Sequence, residues 1–336
     1  MSDSLLHITN GDTAAALLAA ADLGGEILPW RDVLHDGPVP VGESLESLSE
    51  LRADYLTARF AQDREDVRAD MARRDATLRR AGQFDAVVLW FEHDLYDQLQ
   101  ILQILDSLAG DAPARAQMIC IDRFPGIEPF HGLGQLRPEQ IAGLWSRRQP
   151  LTAAQVDLAR RGWRAFTAAD PTALAALRAG DTAALPFLDA ALGRLMAEYP
   201  SRDDGLPGTE RGILAAVADG CDTPGGLFRD HQRREAAPFM GDWSFWWRLA
   251  GLCAGPAPLL TPTDGEFRYP PAQDIDADFK AQRFALTGAG RRVLAGAADA
   301  VKLNGFDRWI GGVHLHAAGT DWRYDARADQ ILEKRG

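Results

Sequence analysis

The sequence has few cysteines and no long apolar run. Its three cysteines, Cys120, Cys221 and Cys253, are spread over 336 residues, and an odd, widely spaced set argues against a disulfide framework and against a cysteine-based zinc site. No segment approaches the ~20 consecutive apolar residues that a transmembrane helix needs, and residues 1–12 lack a basic region followed by an apolar one. We therefore expect a cytoplasmic protein that does not span a membrane.

Basic residues are also fewer than acidic ones. The chain has 36 Lys and Arg against 48 Asp and Glu, which gives a net charge of −12. Almost all of this excess lies in residues 1–205, because residues 206–336 hold 16 basic and 17 acidic side chains. An acidic surface repels nucleic acid, so binding to DNA would need a local basic patch, for which only the pairs Arg233-Arg234 and Arg291-Arg292 are candidates.

The composition is that of a globular protein, with 46% apolar and 25% charged residues. A length of 336 residues favours two domains. We predict an α/β ligand-binding domain over residues 1–125, a helical connector over 126–205 and a winged-helix-like domain over 206–336. The polar, turn-rich segment 199–208 is the predicted linker.

The first 125 residues alternate apolar strands with helical segments. We predict strands at residues 5–9, 25–30, 86–91 and 117–121, a helix at 13–21, two exposed helices within 45–81, and a helix at 95–108. Strands separated by helices indicate a parallel, doubly wound sheet of the Rossmann-like kind.

The rest of the chain is predicted to be mostly helical. Helices are expected at residues 138–145, 152–168, 171–179, 185–198, 209–219, 223–229 and 242–254, with short strands at 259–261, 267–269 and 283–287 and a last helix at 290–295. Thr152 and Gln155 have the spacing of a capping box. Three helices followed by strands resemble a winged helix. Arg248, among several tryptophans, lies on the helix that would read DNA.

Polar residues follow each predicted strand of the first domain. They are Asn10, Gly11, Asp12 and Thr13 after the first strand, Arg31, His35 and Asp36 after the second, Glu92, His93 and Asp94 after the third, and Asp122 and Arg123 after the fourth. The carboxyl ends of parallel strands meet at one edge, where ligands bind. We therefore predict a ligand site at this edge.

These residues suit acid–base and cation chemistry. We predict Asp12, Glu92 and His93 as catalytic residues, with His93 moving protons. The predicted ligand-binding residues are Asn10, Gly11, Thr13, Arg31, His35, Asp36 and Asp94. A divalent cation is a candidate cofactor, of open identity. The alternative is structural, in which Asp12 or Thr13 caps the first helix, Asp94 caps a later one and the other side chains are solvated.

Three segments carry a resemblance to a known family. Residues 7–12 (HITNGD), 30–38 (WRDVLHDGP) and 90–98 (WFEHDLYDQ) are similar to the hallmark segments of a bacterial family of uncharacterised proteins, domain of unknown function 1835. The resemblance covers about the first 125 residues. It implies that the three segments belong together, and it implies no activity.

Three functions are compatible with these patterns. The first is an enzyme of hydrolase or transferase type that acts on a small polar or phosphorylated ligand. The second is a regulator that senses a ligand and binds DNA or a protein through the winged-helix-like domain. The third is an interaction scaffold. A protein partner or a homo-oligomer fits any of them, and the sequence does not identify the substrate.

The enzyme hypothesis makes a geometric prediction. Side chains of Asp12, of His35 or Asp36, and of Glu92 or His93 should converge on one cleft. Carboxylates brought together there should have at least one raised pKa, because like charges disfavour joint ionisation.

Overall fold

The computed structural model describes residues 4–60, 62–108, 110, 112–270, 275–317 and 319–334. Its strands are β1 (Leu5–Thr9), β2 (Glu26–Pro29), β3 (Gly37–Pro38), β4 (Ala86–Glu92), β5 (Ala116–Ile121), β6 (Gln149–Pro150), β7 (Leu260–Pro262), β8 (Phe284–Leu286), β9 (Arg308–Gly311), β10 (Val313–Leu315), β11 (Trp322–Asp325) and β12 (Gln330–Glu333).

The α-helices are α1 (Asp12–Ala20), α2 (Leu45–Phe60), α3 (Arg64–Arg79), α4 (Leu95–Ser107), α5 (Ala112–Arg115), α6 (Pro138–Leu144), α7 (Ala153–Thr167), α8 (Thr172–Arg178), α9 (Leu188–Met196), α10 (Gly208–Ala218), α11 (Pro224–Arg234), α12 (Asp242–Leu252), α13 (Ala277–Ala281), α14 (Gly288–Leu294) and α15 (Ala300–Asn304). Short 3-10 turns cover Ala81–Gln83, Leu133–Gln135 and Trp145–Arg147.

A five-stranded sheet forms the centre of the amino-terminal part. Its strand order is β2-β1-β4-β5-β6. The first four strands pair in parallel, and β6 pairs antiparallel with β5. The predicted mixed α/β class with a parallel sheet is confirmed, and all four predicted strands are present. The two-residue strand β6 has no apolar pattern and was not predicted.

Alternation along the strands directs side chains to the two faces of this sheet. In β4, Val87, Leu89 and Phe91 pack in the cluster that contains α4, whereas Val88 and Trp90 pack with α1 and α6. Successive residues of a strand point to opposite faces, so a continuous apolar run fills two cores. The sheet is therefore covered by helices on both sides.

Helices α2 and α3 lie where the sequence predicts them, but the prediction that they are exposed is wrong in part. Arg52 of α2 is fully buried. Its guanidinium pairs with Asp32 at 2.8 Å and donates hydrogen bonds to the carbonyl oxygens of Val33 and Asp36. A high content of charged residues in a helix sequence does not show which of those side chains form ion pairs in the interior. Through Arg52, α2 fixes the loop that follows β2.

The carboxy-terminal part contains α10, α11 and α12, followed by the antiparallel pair β7 and β8 and then α14. The strand predicted at residues 267–269 is wrong, because this segment is an irregular stretch. Its aromatic side chains pack against other rings. The ring centroids of Phe267 and Phe284 are 5.9 Å apart, and those of Tyr269 and Trp247 are 5.2 Å apart. The capping box at Thr152 and Gln155 is confirmed at the start of α7.

Contacts cross the predicted domain boundaries. β3 pairs in parallel with β9, through Gly37 opposite Ile310 and Pro38 opposite Gly311. In the predicted linker, Tyr199, Asp204 and Leu206 are buried. One hydrophobic cluster extends from Leu6 to Ile331. The domain division stays a prediction. Among the described residues, no helix combines the length and apolar character needed to cross a bilayer.

Candidate functional site

The site lies where the order of the sheet reverses. From the adjacent strands β1 and β4, the chain continues to β2 on one side and to β5 on the other. The loops after β1 and β4 therefore diverge and leave a crevice between them, which is where open α/β sheets bind ligands. Asn10 and Gly11 follow β1, and Glu92 ends β4, so both predicted segments reach this crevice.

Three carboxylates meet at the crevice. Oxygen atoms of Glu92, Asp94 and Asp97 lie within 4.8 Å of one another, and all three residues are buried. Asp94 is the N-cap of α4, since its Oδ1 accepts the Asp97 N–H at 3.0 Å. This confirms the structural alternative for Asp94. Asp97 is not among the predicted site residues, although its position three residues after Asp94 places it in the first turn of α4.

Asn10 joins the loop after β1 to these carboxylates. Its Nδ2 donates to Glu92 Oε1 at 3.2 Å and to Asp97 Oδ1 at 2.9 Å. The Tyr96 hydroxyl donates to the Asn10 carbonyl oxygen at 3.0 Å. Asn10 thus positions the acidic side chains.

A distant loop closes over Glu92. The backbone N–H of Leu133 donates to Glu92 Oε1. Gly132 has a φ of +147°, and a Cβ at this position would lie 2.1 Å from Glu92 Oε2. Only glycine allows the backbone to come this close. His131, Gly132 and Leu133 were not predicted, because nothing in the sequence links them to a strand end 40 residues away.

Burial of the cluster changes its titration. It raises the pKa of Glu92 to about 8, with the neighbouring Asp94 charge as a second cause, and burial raises the pKa of Asp94 to about 7. The pKa of Asp97 is also raised, by burial and then by the charges of Glu92 and Asp94. The predicted raised pKa is confirmed, but burial is a larger cause than like charge. Within the described part of the chain, none of the three carboxylates forms an ion pair.

A cavity of about 330 Å³ opens beside the cluster. We call it the strand-end cavity; it is lined by Asn10, Gly11, Asp12, Thr13, Ala14, Glu92, Tyr96, His131, Gly132, Gly134 and Gln135. The N-cap of α1 is Gly11, without a side-chain cap. The prediction that Asp12 or Thr13 caps this helix is therefore wrong. The first N–H groups of α1 lie at the cavity without a capping side chain.

Comparison with known proteins adds nothing to this geometry. No protein-family model matches the chain, and no curated protein matches it. The resemblance to domain of unknown function 1835 stays a prediction.

The remaining predicted residues of the loop after β2 lie in different places. Arg31 joins Asp12, at 2.7 Å, to Asp70 of α3, also at 2.7 Å. Asp36 is buried between Arg59 and Arg248, which lie 3.2 and 3.5 Å away. These two cations lower the pKa of Asp36 despite its burial.

His35 is 4% exposed and does not line the strand-end cavity. Its ring lies edge-on to Phe239 at 5.0 Å and to Tyr96 at 6.0 Å. Burial lowers its pKa to about 4. The prediction that a residue of this loop joins Asp12 and Glu92 in one cleft is therefore wrong for both His35 and Asp36. The loop is held by Arg52 of α2, which pairs with Asp32, and by Arg248 of α12, which lies 3.5 Å from Asp36.

His93 lies outside the strand-end cavity as well. Its ring packs edge-on against Phe187, with the ring centroids 6.0 Å apart. Burial lowers its pKa, although the charge of Asp122 raises it. Of the three residues predicted as catalytic, Asp12 and Glu92 line the cavity.

Proposed function

We propose that the strand-end cavity is the ligand site of an enzyme of hydrolase or transferase type. Its substrate is a small polar or phosphorylated molecule, and Glu92, Asp94 and Asp97 hold a divalent cation. The observation that carries the proposal is the group of three buried carboxylates, which form no ion pair with any described residue, beside the N-terminus of α1, which has no capping side chain.

The cation follows from electrostatics. Several negative charges within 4.8 Å of one another in a buried site are costly unless protons or a cation neutralise them. Mg²⁺, Mn²⁺ and Ca²⁺ prefer carboxylate oxygens as ligands. Asn10 and Leu133 each donate to Glu92 Oε1, which leaves Oε2 for such an ion.

The polar character of the substrate follows from α1. The first N–H groups of an α-helix have no partner inside the helix, and the helix dipole favours a negative group there. Phosphate groups are frequent ligands of such N-termini. The carboxylates would repel a phosphate without a cation between them, so the two parts of the proposal support each other.

The residues would divide the chemistry as follows. Asn10 orients Glu92 and Asp97, and the backbone after Gly11 contacts the anionic part of the ligand. Asp12 lines the cavity, and its carboxylate, which pairs with Arg31 through Oδ1, would accept a proton from the ligand. Of the three clustered carboxylates, Glu92 lines the cavity. His93 has no part in this scheme, because it neither lines the cavity nor belongs to the cluster.

The finer fold assignments belong to the same proposal. The order of the parallel strands and the helices on both faces support a Rossmann-like sheet. The sequence α10, α11, α12, β7, β8, α14 supports a winged-helix-like unit. DNA reading by its third helix is not favoured, since Arg248 is 3% exposed and faces Asp36 and Glu198.

Calorimetric titration with MnCl₂ tests the cation site. We expect wild-type protein to bind one Mn²⁺ and the variants Glu92→Gln and Asp94→Asn to bind it at least about tenfold more weakly. Asn is also a good N-cap, so the second variant preserves the start of α4. The matched control is Asp122→Asn, which removes a carboxylate at the end of β5 outside the cluster. Equal Mn²⁺ affinity in all four proteins, or none in any, would contradict the proposal.

The substrate class is tested by thermal shift. Nucleotides and sugar phosphates should stabilise the wild type more in the presence of Mn²⁺ than in the presence of a chelator. Stabilisation by none of them would count against a phosphorylated ligand.

A further inference from the structure

A second, larger cavity lies between the α2–α3 pair and the start of α12. Its volume is about 950 Å³, which is the size that accommodates an organic molecule. We call it the hairpin cavity. Its walls come from the loop after β2, from α2 and α3, from Tyr96 of α4, and from residues 239–244. None of the functions considered above accounts for it.

His35 is the buried polar group of this cavity. It lines the cavity and is 4% exposed, yet neither Nδ1 nor Nε2 has a hydrogen-bond partner among the residues that the structure describes. A neutral imidazole carries one donor and one acceptor, and each polar group buried without a partner costs about 1–3 kcal/mol. Both nitrogens are themselves buried, so a ligand group that reaches the ring would supply the hydrogen bond that each of them lacks.

The apolar part of the lining is aromatic. Phe239 lies 5.0 Å from the His35 ring, and Phe60, Tyr96 and Trp243 also line the cavity. Flat rings favour offset or edge-to-face packing against such side chains. This wall selects a planar, aromatic part of a ligand.

The charged side chains that line the cavity determine whether it favours a positively or a negatively charged ligand. Five aspartates and three arginines line it. The arginines are engaged, since Arg31 and Arg73 pair with Asp70 and Arg74 pairs with Asp75. Within the described residues, Asp66 and Asp242 form no ion pair. The lining thus attracts a cation and repels a phosphate.

We propose that the hairpin cavity binds an aromatic or heteroaromatic amine, with its ring against Phe239 and Trp243, its ammonium group near Asp66 and Asp242, and a hydrogen bond to His35. The proposal does not rest on the function assigned to the strand-end cavity. The two cavities share Tyr96, and the Arg31–Asp12 pair spans the boundary between them.

Three probes that share the indole ring and differ in charge test the proposal. They are tryptamine, which is cationic, tryptophol, which is neutral, and indole-3-propionate, which is anionic at pH 7.5. We expect calorimetry to show one tryptamine site in the wild type and at least about tenfold weaker binding of indole-3-propionate. His35→Phe keeps the ring and removes both nitrogens, and it should weaken tryptamine binding about tenfold. The control is His316→Phe, at an exposed histidine outside the cavity, which should bind as the wild type does.

A second variant is used if circular dichroism shows that His35→Phe does not fold. The double variant Asp66→Asn with Asp242→Asn changes only lining charges, and it should reduce the preference for tryptamine over indole-3-propionate. The proposal is overturned if none of the probes binds, if the two charged probes bind equally to the wild type, or if the double variant keeps the full preference.

Discussion

Glu92 and Asp94 link the stability of the protein to pH. Their folded pKa values, about 8 and about 7, lie above the ordinary values of 4.5 and 3.8. The folded state therefore holds more protons than the unfolded state between roughly pH 4 and pH 8. The contribution of these two groups to the free energy of unfolding is present at low pH and is lost as the pH rises through the folded pKa values. We predict that the free energy of unfolding of the metal-free protein contains a contribution that falls over this window.

Urea unfolding in the presence of a chelator, repeated from pH 5 to pH 9, measures this dependence. The double variant Glu92→Gln with Asp94→Asn should show a shallower decline with pH, because neither amide titrates. An identical decline in variant and wild type would mean that the cluster does not titrate in this range. Added Mn²⁺ should stabilise the wild type more at pH 8 than at pH 6, since protons compete with the metal ion for the same oxygens.

Gly132 is a second residue on which the site depends. Gly132→Ala would place a methyl group against the Glu92 carboxylate, at a φ of +147° that side chains rarely adopt. We predict a loss of about 1–3 kcal/mol in unfolding free energy and weaker Mn²⁺ binding. Gly11→Ala is the control, because its Cβ would meet nothing within 4 Å. Similar unfolding curves for both variants would refute the close approach of the two segments.

The sequence allowed part of the site to be predicted. Three ionisable residues directly after an apolar strand, Glu92 to Asp94, must place at least one side chain at the strand end. Which of them points inward depends on where β4 ends and α4 begins, and His93, predicted as catalytic, does not line the strand-end cavity. The contact with Gly132 depends on a loop without periodicity, and no local pattern indicates it.

Among the helices, α2 is tied to the loop after β2 by Arg52 and Arg59, which pair with Asp32 and Asp36. Arg52 is fully buried with its partner Asp32. Without Arg52, the buried Asp32 carboxylate keeps only Arg74, 3.9 Å away, and breaking a buried ion pair in this way costs about 3–5 kcal/mol. We predict this loss of stability for Arg52→Ala. The control is Arg68→Ala in α3, whose partly exposed pair with Glu50 should contribute at most about 1 kcal/mol.

Chemical denaturation of both variants provides the comparison. Equal stabilities would show that the Arg52 guanidinium is not paired in the interior. The hairpin cavity should also lose tryptamine binding in Arg52→Ala, because His35 lies on the loop that Arg52 holds.

Element boundaries were predictable where apolar periodicity is strong. The strands of the parallel sheet are short apolar runs, and each was predicted to within about one residue of its ends. Helices α2 and α3 were predicted only as two helices within residues 45–81, because their sequences are dense in charge and carry little apolar periodicity. Short strands such as β3 and β6 have two residues each, and only their partners identify them. The aromatic segment around Phe267 has the composition of a strand, but it does not pair with a neighbouring strand. Its side chains pack against other aromatic rings instead.

At the scale of the whole molecule, the amino-terminal and carboxy-terminal parts share buried charges. Asp36 lies 3.5 Å from Arg248, and both are nearly inaccessible to solvent. A chain ending at residue 205 would leave Asp36 without Arg248 and would expose the apolar surface that packs on α12. We predict that this fragment unfolds without a sharp thermal transition and binds a hydrophobic dye. A cooperative melt like that of the full chain would instead support independent domains.

The pairing of β3 with β9 imposes an order in time. Gly37 and its partner Ile310 are separated by most of the chain, and synthesis proceeds at about 5–20 residues per second. The loop that carries His35 therefore waits on the order of tens of seconds on the ribosome before its partner strand emerges. During that interval the parallel sheet can form, because β1, β2, β4 and β5 are all made early. The hairpin cavity receives its last wall, residues 239–244, about 200 residues after the loop that carries His35.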